Sequence, residues 1–241
     1  MTVCVPEGGL CNRLKCIIST LTKYDEIQLE WKAPTNGGGV RCHFNDLFTN
    51  NFYGKGGAVK ITSCDFIDRE MNTNNVGDKM TLNPTLKSRY LSTINRLKPV
   101  DYVMKQLGEE VVKLPEDVVT VSVRTFRSFP AEYDSWGRHF KIDALYQHLD
   151  SFDNPILLTC DDQHVMTQIK ERYGDRIYTT PKRTTFGDFT TVEGMQDALI
   201  DLYLGGLSKT IYGTNMSSFS EMQWWFGGCN ANYVGMKLHE R

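Results

Sequence analysis

The chain opens with an apolar run over residues 1–6 that stops at Glu7-Gly8-Gly9. Apolar residues then recur at Leu10, Leu14, Ile17, Ile18 and Leu21, which is helical spacing and predicts a helix over 10–21. Strand, glycine turn, helix is therefore the first unit. The pattern continues with a strand at 26–31 (EIQLEW) and a loop at 34–39. A short helical turn follows at 44–48 (FNDLF), whose apolar residues plug into a core. Residues 50–57 read as loop, 59–67 as a third strand and 72–79 as an exposed polar stretch. Helical patterns at 86–97 and 100–112 flank the breaker Lys98-Pro99. Beyond it the clearest buried strand is 118–123 (VVTVSV), followed by a helix at 143–149 and a strand at 155–159 (PILLT). A helix at 165–173 ends at Gly174 and a short strand spans 176–179. An apolar helix follows at 193–204, then a strand at 210–213 and a last helix at 219–226.

Strands alternating with helices predict an α/β fold with parallel sheets flanked by helices on both faces. The length of 241 residues accommodates two small halves, and a division near 97–101 yields units of 1–97 and 98–241. A net charge of −2 excludes the broadly basic surface that nucleic-acid binding needs. The start, MTVCVPEGGL, lacks the basic and apolar regions of a signal peptide, and no run of about 18 apolar residues predicts a membrane span. The cysteines Cys4, Cys11, Cys16, Cys42, Cys64, Cys160 and Cys229 are odd in number and scattered, which fits free thiols in a reducing compartment. No paired CxxC and no HExxH occurs, so no metal site is expected.

In open α/β sheets ligands bind outside the carboxyl ends of the strands. Four such ends carry candidate chemistry. Gly8 and Gly9, followed by Leu10, Cys11, Asn12 and Arg13, let a ligand approach backbone at a helix N-terminus, although a tight strand-to-helix turn needs the same glycines. Arg124 ends VVTVSV, with Arg127 one turn on; a guanidinium at a strand mouth suits phosphate oxygens, and equally a salt bridge. Asp161 and Asp162 end the next strand, where they can accept from ribose or base groups or cap the following helix. Finally, Ser217, Ser218 and Phe219 open a helix whose N–H groups and hydroxyls form a phosphate cradle. The competing reading there is a capping box with Ser217 or Ser218 as cap and Glu221 as its partner.

Taken in order, GGLxNRL, a strand ending in Arg, a strand ending in TxDD and a late SSFSE resemble the fucosyltransferase superfamily that includes the nodulation and core α-1,6-, the bacterial α-1,2- and the protein O-fucosyltransferases. EIQLEW with CHFNDLF, and DALIDLYLGGLSKTIYGTNMSSFSE, extend the likeness over nearly the whole chain. The resemblance implies a GT-B arrangement, two Rossmann-like halves with a cleft between, the second holding the nucleotide sugar and the first facing the acceptor. It implies inverting transfer of fucose or a related deoxysugar from a GDP-sugar to a glycan acceptor, with no metal and no cofactor besides the donor.

On that pattern Arg124 pairs with the donor diphosphate, and Asn12 and Arg13 join it as catalytic candidates. Gly9, Leu10, Ser122, Arg127, Asp161, Asp162, Ser217, Ser218 and Phe219 become donor-binding candidates. Ser122 stands where the family has a histidine, and Cys11 where it often has Gly or Phe. The base is not singled out: Glu7, Glu132, Asp134, His139 and Asn12 all qualify by position. Eukaryotic relatives are typically secretory-pathway enzymes, so the lack of a leader makes either a cytoplasmic bacterial or viral type or a chain trimmed from a longer protein the expectation. A non-catalytic nucleotide-sugar or glycan-binding module that retains the fold is the alternative function class.

Overall fold

In the computed structural model, Thr2–Val5 forms β1, Leu10–Lys23 α1, Ile27–Leu29 β2 and Val59–Thr62 β3. The structure describes residues 2–24, 26–33, 40–52, 59–62 (as backbone), 83–127, 133–184 and 190–240. The expected loops at 34–39 and 72–79, most of 50–57, the later part of the 59–67 strand and Cys64 lie outside them. β1 is central in a parallel sheet of order β2-β1-β3, with Thr2 in register with both Ile27 and Val59. Parallel neighbours need crossovers, and α1 supplies the first.

The apolar stripe of α1 is buried as its spacing predicts, but so are Arg13, Lys15, Ser19, Thr20 and Thr22. The helix is enclosed because it packs on β1 and on two further helices, α2 (Pro84–Ile94) and α7 (Ser218–Phe226). Its buried hydroxyls bond back to the helix: Thr20 Oγ1 donates to the Cys16 carbonyl (2.7 Å) and Thr22 Oγ1 to that of Ile18 (2.8 Å). The expected turn at 44–48 is present as a short 3₁₀ helix over Phe44–Asp46, with Phe44, Leu47 and Phe48 fully buried. Phe44 stacks on Phe48 with centroids 5.1 Å apart.

α2 begins earlier than its apolar pattern suggests. Asn83 caps it through a 2.8 Å bond from the Thr85 N–H, and Pro84 occupies the first turn. Residues 97–100, where the division was expected, are pinned to 47–50: the Thr49 N–H donates to Lys98 O (2.8 Å) and the Val100 N–H to Leu47 O (3.0 Å). α3 (Asp101–Val111) then packs on α6 (Val192–Gly206).

The second sheet has the order β6-β5-β4-β7-β8 and is parallel throughout. Its strands are β4 (Val119–Val123), β5 (Ile156–Cys160), β6 (Ile177–Tyr178), β7 (Thr210–Thr214) and β8 (Asn232–Met236). α4 (Ile142–Leu149) and α5 (Gln163–Tyr173) are the helices that follow β4 and β5 among the described residues. β8 was not expected from the pattern. It is an edge strand in which only Met236 is buried, so the apolar signal is weak.

Strand alternation sends Ile156 and Leu158 to one face and Leu157 to the other. The first face packs with Val121, Val123, Leu145 and Ile169. The second merges with α6, α7 and the first sheet, so a single apolar cluster runs from Cys4 and Leu14 to Leu199, Trp224 and Trp225.

Candidate active site

The glycine turn between β1 and α1 is exposed, and Gly8 has φ +80°, a conformation that side chains resist. Gly9 is the N-cap of α1, and a Cβ built there meets nothing within 4 Å, so the helix N-terminus is open to a ligand. Asn12 is half-buried beside the turn, its amide nitrogen 3.6 Å from where a Gly8 Cβ would stand.

Arg13 is 3% exposed. Its Nε donates to Gly8 O (2.9 Å) and its Nη1 to Lys32 O (2.7 Å), and the guanidinium lies 4.7 Å from the Trp31 ring centre. Burial lowers its pKa. In this position Arg13 braces the turn against the segment after β2. Leu10 is likewise turned into the core, so what it offers a ligand is backbone.

At the mouth of β4, Arg124 Nη1 lies 2.8 Å from Asp161 Oδ2, with the two side chains 18% and 8% exposed. The other oxygen of Asp161 accepts the Thr125 N–H at 2.7 Å. The mouth is stitched to the neighbouring strand by Thr214. Its Oγ1 accepts the Arg124 N–H (2.9 Å) and donates to Ser122 O (3.0 Å). Ser122 itself is buried between β5 and β7, in register with Thr159 and Gly213, so its side chain is set back from the mouth.

Asp162 is the N-cap of α5: its Oδ1 accepts from the N–H groups of His164 (2.9 Å) and Val165 (3.2 Å). Arg127 approaches its Oδ2 at 3.8 Å and lies over Phe140. A cavity of about 220 Å³ opens beside Arg127, lined also by Phe140, Ile142, His164, Val165 and Gln168. Both aspartates are thus committed to nitrogen donors. Among the described residues no group of three or more His, Cys, Asp or Glu side chains is placed to hold a metal ion, and no helix is long and apolar enough to cross a membrane.

α7 starts at the end of β7. Ser217 takes the N-cap position without a side-chain cap bond, so the box with Glu221 does not form. Glu221 instead points inward, where its Oε2 accepts from Lys15 Nζ (2.8 Å) and its Oε1 from Trp225 Nε1 (3.2 Å). The reason is the packing of α7 on α1, which places a buried ammonium where it requires a carboxylate. Ser218 and Phe219 are half-buried, and Phe219 packs on the core. Ser220 Oγ donates to Ser217 O (3.1 Å) and accepts from Tyr233 OH (3.1 Å), which ties the helix start to β8.

Two features escaped the sequence reading. One is Lys15, whose only signal is a charge inside the run LKCII. The other is an aromatic group next to Arg124, made of Phe126, Trp136, Phe140 and His239. Burial lowers the pKa of His239 below 6.5. Of the candidate bases, Glu7 and Asp134 are exposed and His139 is half-buried, its Nε2 accepting from Arg138 Nε at 3.2 Å. Glu132 lies outside the described residues. The six described cysteines are free, with Cys4 and Cys16 sulfurs 3.6 Å apart.

By sequence, no family model and no curated protein matches the chain. Solved structures do match by shape. NodZ α-1,6-fucosyltransferase soaked with GDP-fucose aligns with a TM-score of 0.56 at 13% identity, over 93% of this chain and 91% of that one. POFUT1 in complex with GDP aligns at 0.52 and 11% identity, over 98% of each chain. A mutant of Arabidopsis thaliana FUT1 in complex with GDP aligns at 0.53 and 13% identity, over 100% of this chain and 71% of that one. The chain therefore has the α/β fold of the GT-B fucosyltransferases, as its motifs led one to expect.

Proposed function

We propose that the chain is a glycosyltransferase that moves fucose, or a related deoxysugar, from a GDP-sugar to a glycan acceptor. The observation that carries this reading is the joint between β4 and β7. Arg124 is oriented by Asp161, and Thr214 bonds its backbone to the strand that leads into the N-terminus of α7. A cationic fork and a helix N-terminus thus occupy adjacent strand ends, a combination that suits a diphosphate. Proteins of this fold solved with GDP or GDP-fucose support the choice of donor.

In this reading the acceptor oxygen attacks the anomeric carbon as the bond to the diphosphate oxygen breaks, with inversion. The acceptor proton passes to a base, and negative charge grows on the β-phosphate. Arg124 and the first N–H groups of α7 stabilise that charge without a metal. Asn12 acts beside the reacting groups, the open end of α1 at Gly9 meets the donor, and Arg13 positions both through the Gly8 carbonyl. No cofactor besides the donor is needed.

A second reading, a binding module without turnover, is favoured by the closure of Arg124 on Asp161 and by Ser122 in place of the family histidine. Release of GDP from GDP-fucose without acceptor separates the two, since it requires a working leaving-group site. The lead reading expects GDP and GDP-fucose to raise the melting temperature more than UDP and UDP-sugars, and turnover to survive EDTA. Equal stabilisation by UDP-sugars would remove the donor assignment. A strict Mg²⁺ or Mn²⁺ requirement would show that Asp161 and Asp162 have been given the wrong task.

A further inference from the structure

The segment after β8 returns across the mouth of the second sheet. The Lys141 N–H donates to Leu238 O (2.8 Å), the Glu240 N–H to His139 O (3.3 Å), and Phe140 pairs with His239 in an antiparallel bridge. This seats the His239 imidazole among three aromatic rings. It meets Phe126 edge-on at 5.1 Å between centroids, Phe140 at 5.6 Å and Trp136 at 6.3 Å. Its Nε2 lies 3.4 Å from the Thr125 carbonyl oxygen, an acceptor, so Nε2 carries the hydrogen.

Thr125 and Phe126 are the two residues that follow Arg124. Thr125 is fully buried and its N–H is bonded to Asp161. Phe126 has φ +59°, a left-handed conformation that a bulky residue keeps only when its surroundings impose it. Those surroundings are close: a Cβ at Gly137 would stand 2.8 Å from the Phe126 carbonyl oxygen, so the neighbouring loop presses directly on this backbone. The Phe126 ring in turn lies under the Arg124 guanidinium, 5.1 Å from its centre. A continuous set of contacts therefore runs from His239 through the Thr125–Phe126 turn to Arg124.

We propose that His239 is a positioning residue for Arg124: by filling the slot between Phe126, Trp136 and Phe140 it holds the left-handed turn, and the turn holds the guanidinium against Asp161. The role rests on the reading that Arg124 meets the donor diphosphate, but the placement of Arg124 is measurable without any nucleotide.

The test compares His239→Ala with His239→Phe, which retains an aromatic ring in the slot. The first readout is the Arg124 Nε–Hε resonance in the ligand-free protein, assigned with Arg124→Lys. The second is GDP affinity. His239→Ala is expected to shift or broaden that resonance and to weaken GDP binding by about tenfold, and His239→Phe to restore both. If His239→Ala does not fold, His239→Val, which fills the slot only in part, takes its place. An Arg124 resonance unmoved by the aliphatic variant overturns the proposal, as does a perturbation that phenylalanine fails to reverse. Failure of the unmodified protein to bind GDP would end the donor reading instead, and the resonance comparison would still decide what His239 does.

Discussion

Lys15–Glu221 and Arg124–Asp161 are both ion pairs with 2.8 Å between nitrogen and oxygen, and they do opposite work. The first joins α1 to α7 with its side chains 1% and 0% exposed. Sealed from water, it reaches no ligand, and it sets how the two helices that carry the glycine turn and the Ser217–Ser218 start lie on one another. The second sits at a strand mouth with the arginine 18% exposed. A ligand can reach it, and its carboxylate orients the guanidinium without withdrawing it from the surface. Equal distances thus say little about role; solvent access and position in the sheet decide it.

The largest effect is expected where the sealed pair is cut. Lys15→Met leaves the Glu221 charge buried and should destabilise the protein by about 3–5 kcal/mol in denaturant unfolding. Lys15→Met with Glu221→Gln keeps an acceptor for Trp225 Nε1 and removes the charge, so it should recover most of that loss. A single variant as stable as the parent would show that water reaches the pair after all.

Next comes the open pair, where the expected loss is in rate. Arg124→Ala should lower turnover by about 10²–10³, or 3–4 kcal/mol in the barrier, because a preorganised donor to the leaving group is gone. Arg124→Lys should recover only part, since an ammonium lacks the planar fork. Circular dichroism should remain that of the parent in both. Near-normal turnover in folded Arg124→Ala protein would erase the contrast between the two pairs.

A smaller effect tests whether the glycine turn is fixed by backbone alone. Gly8→Ala must place a Cβ at φ +80° and should cost about 1–2 kcal/mol, read as a shift in the unfolding midpoint. No shift would mean that the turn relaxes and that Arg13 is not holding it.

The smallest effect is pH-dependent. Burial holds the folded pKa of His239 below 6.5, while Asp161 opposes that shift and His139 and Arg124 add to it. Between the folded value and the unfolded one the unfolded chain binds more protons, so stability rises with pH there. The contribution is complete above the unfolded pKa of about 6.5 and is lost as pH falls through the folded value. The melting temperature of the parent should therefore drop more on acidification from pH 7.5 than that of His239→Phe. Parallel curves would show that His239 is as easily protonated in the fold as outside it.

Much of the fold was legible because its signals are local. Five of the six residues before Arg124 are valine or threonine, and such a run stiffens a strand wherever it lies. The spacing of Leu10, Leu14, Ile17, Ile18 and Leu21 defines one helix face, and Asp162 placed before Gln163 is a cap by its own chemistry. The strand-end residues Arg124, Asp161 and Ser217 could be found for the same reason: the first two follow directly on readable strands, and Ser217 comes three residues after one. β8 was missed because an edge strand buries too little to enforce alternation.

What the chain determines by itself, then, is which segments become strands and helices and which residues end them, since propensity, periodicity and capping act between neighbours. Partner choice lies beyond that range. Glu221 has the local pattern of a capping-box residue, yet it pairs with Lys15, 206 positions away, because packing removes water from both and leaves each as the other's remedy. Likewise His239 meets Thr125 only once the strand order of the second sheet brings the segment after β8 over the mouth of β4. Desolvation is a property of the assembled layers, and it was the tertiary structure that decided which charges and rings it would bring together.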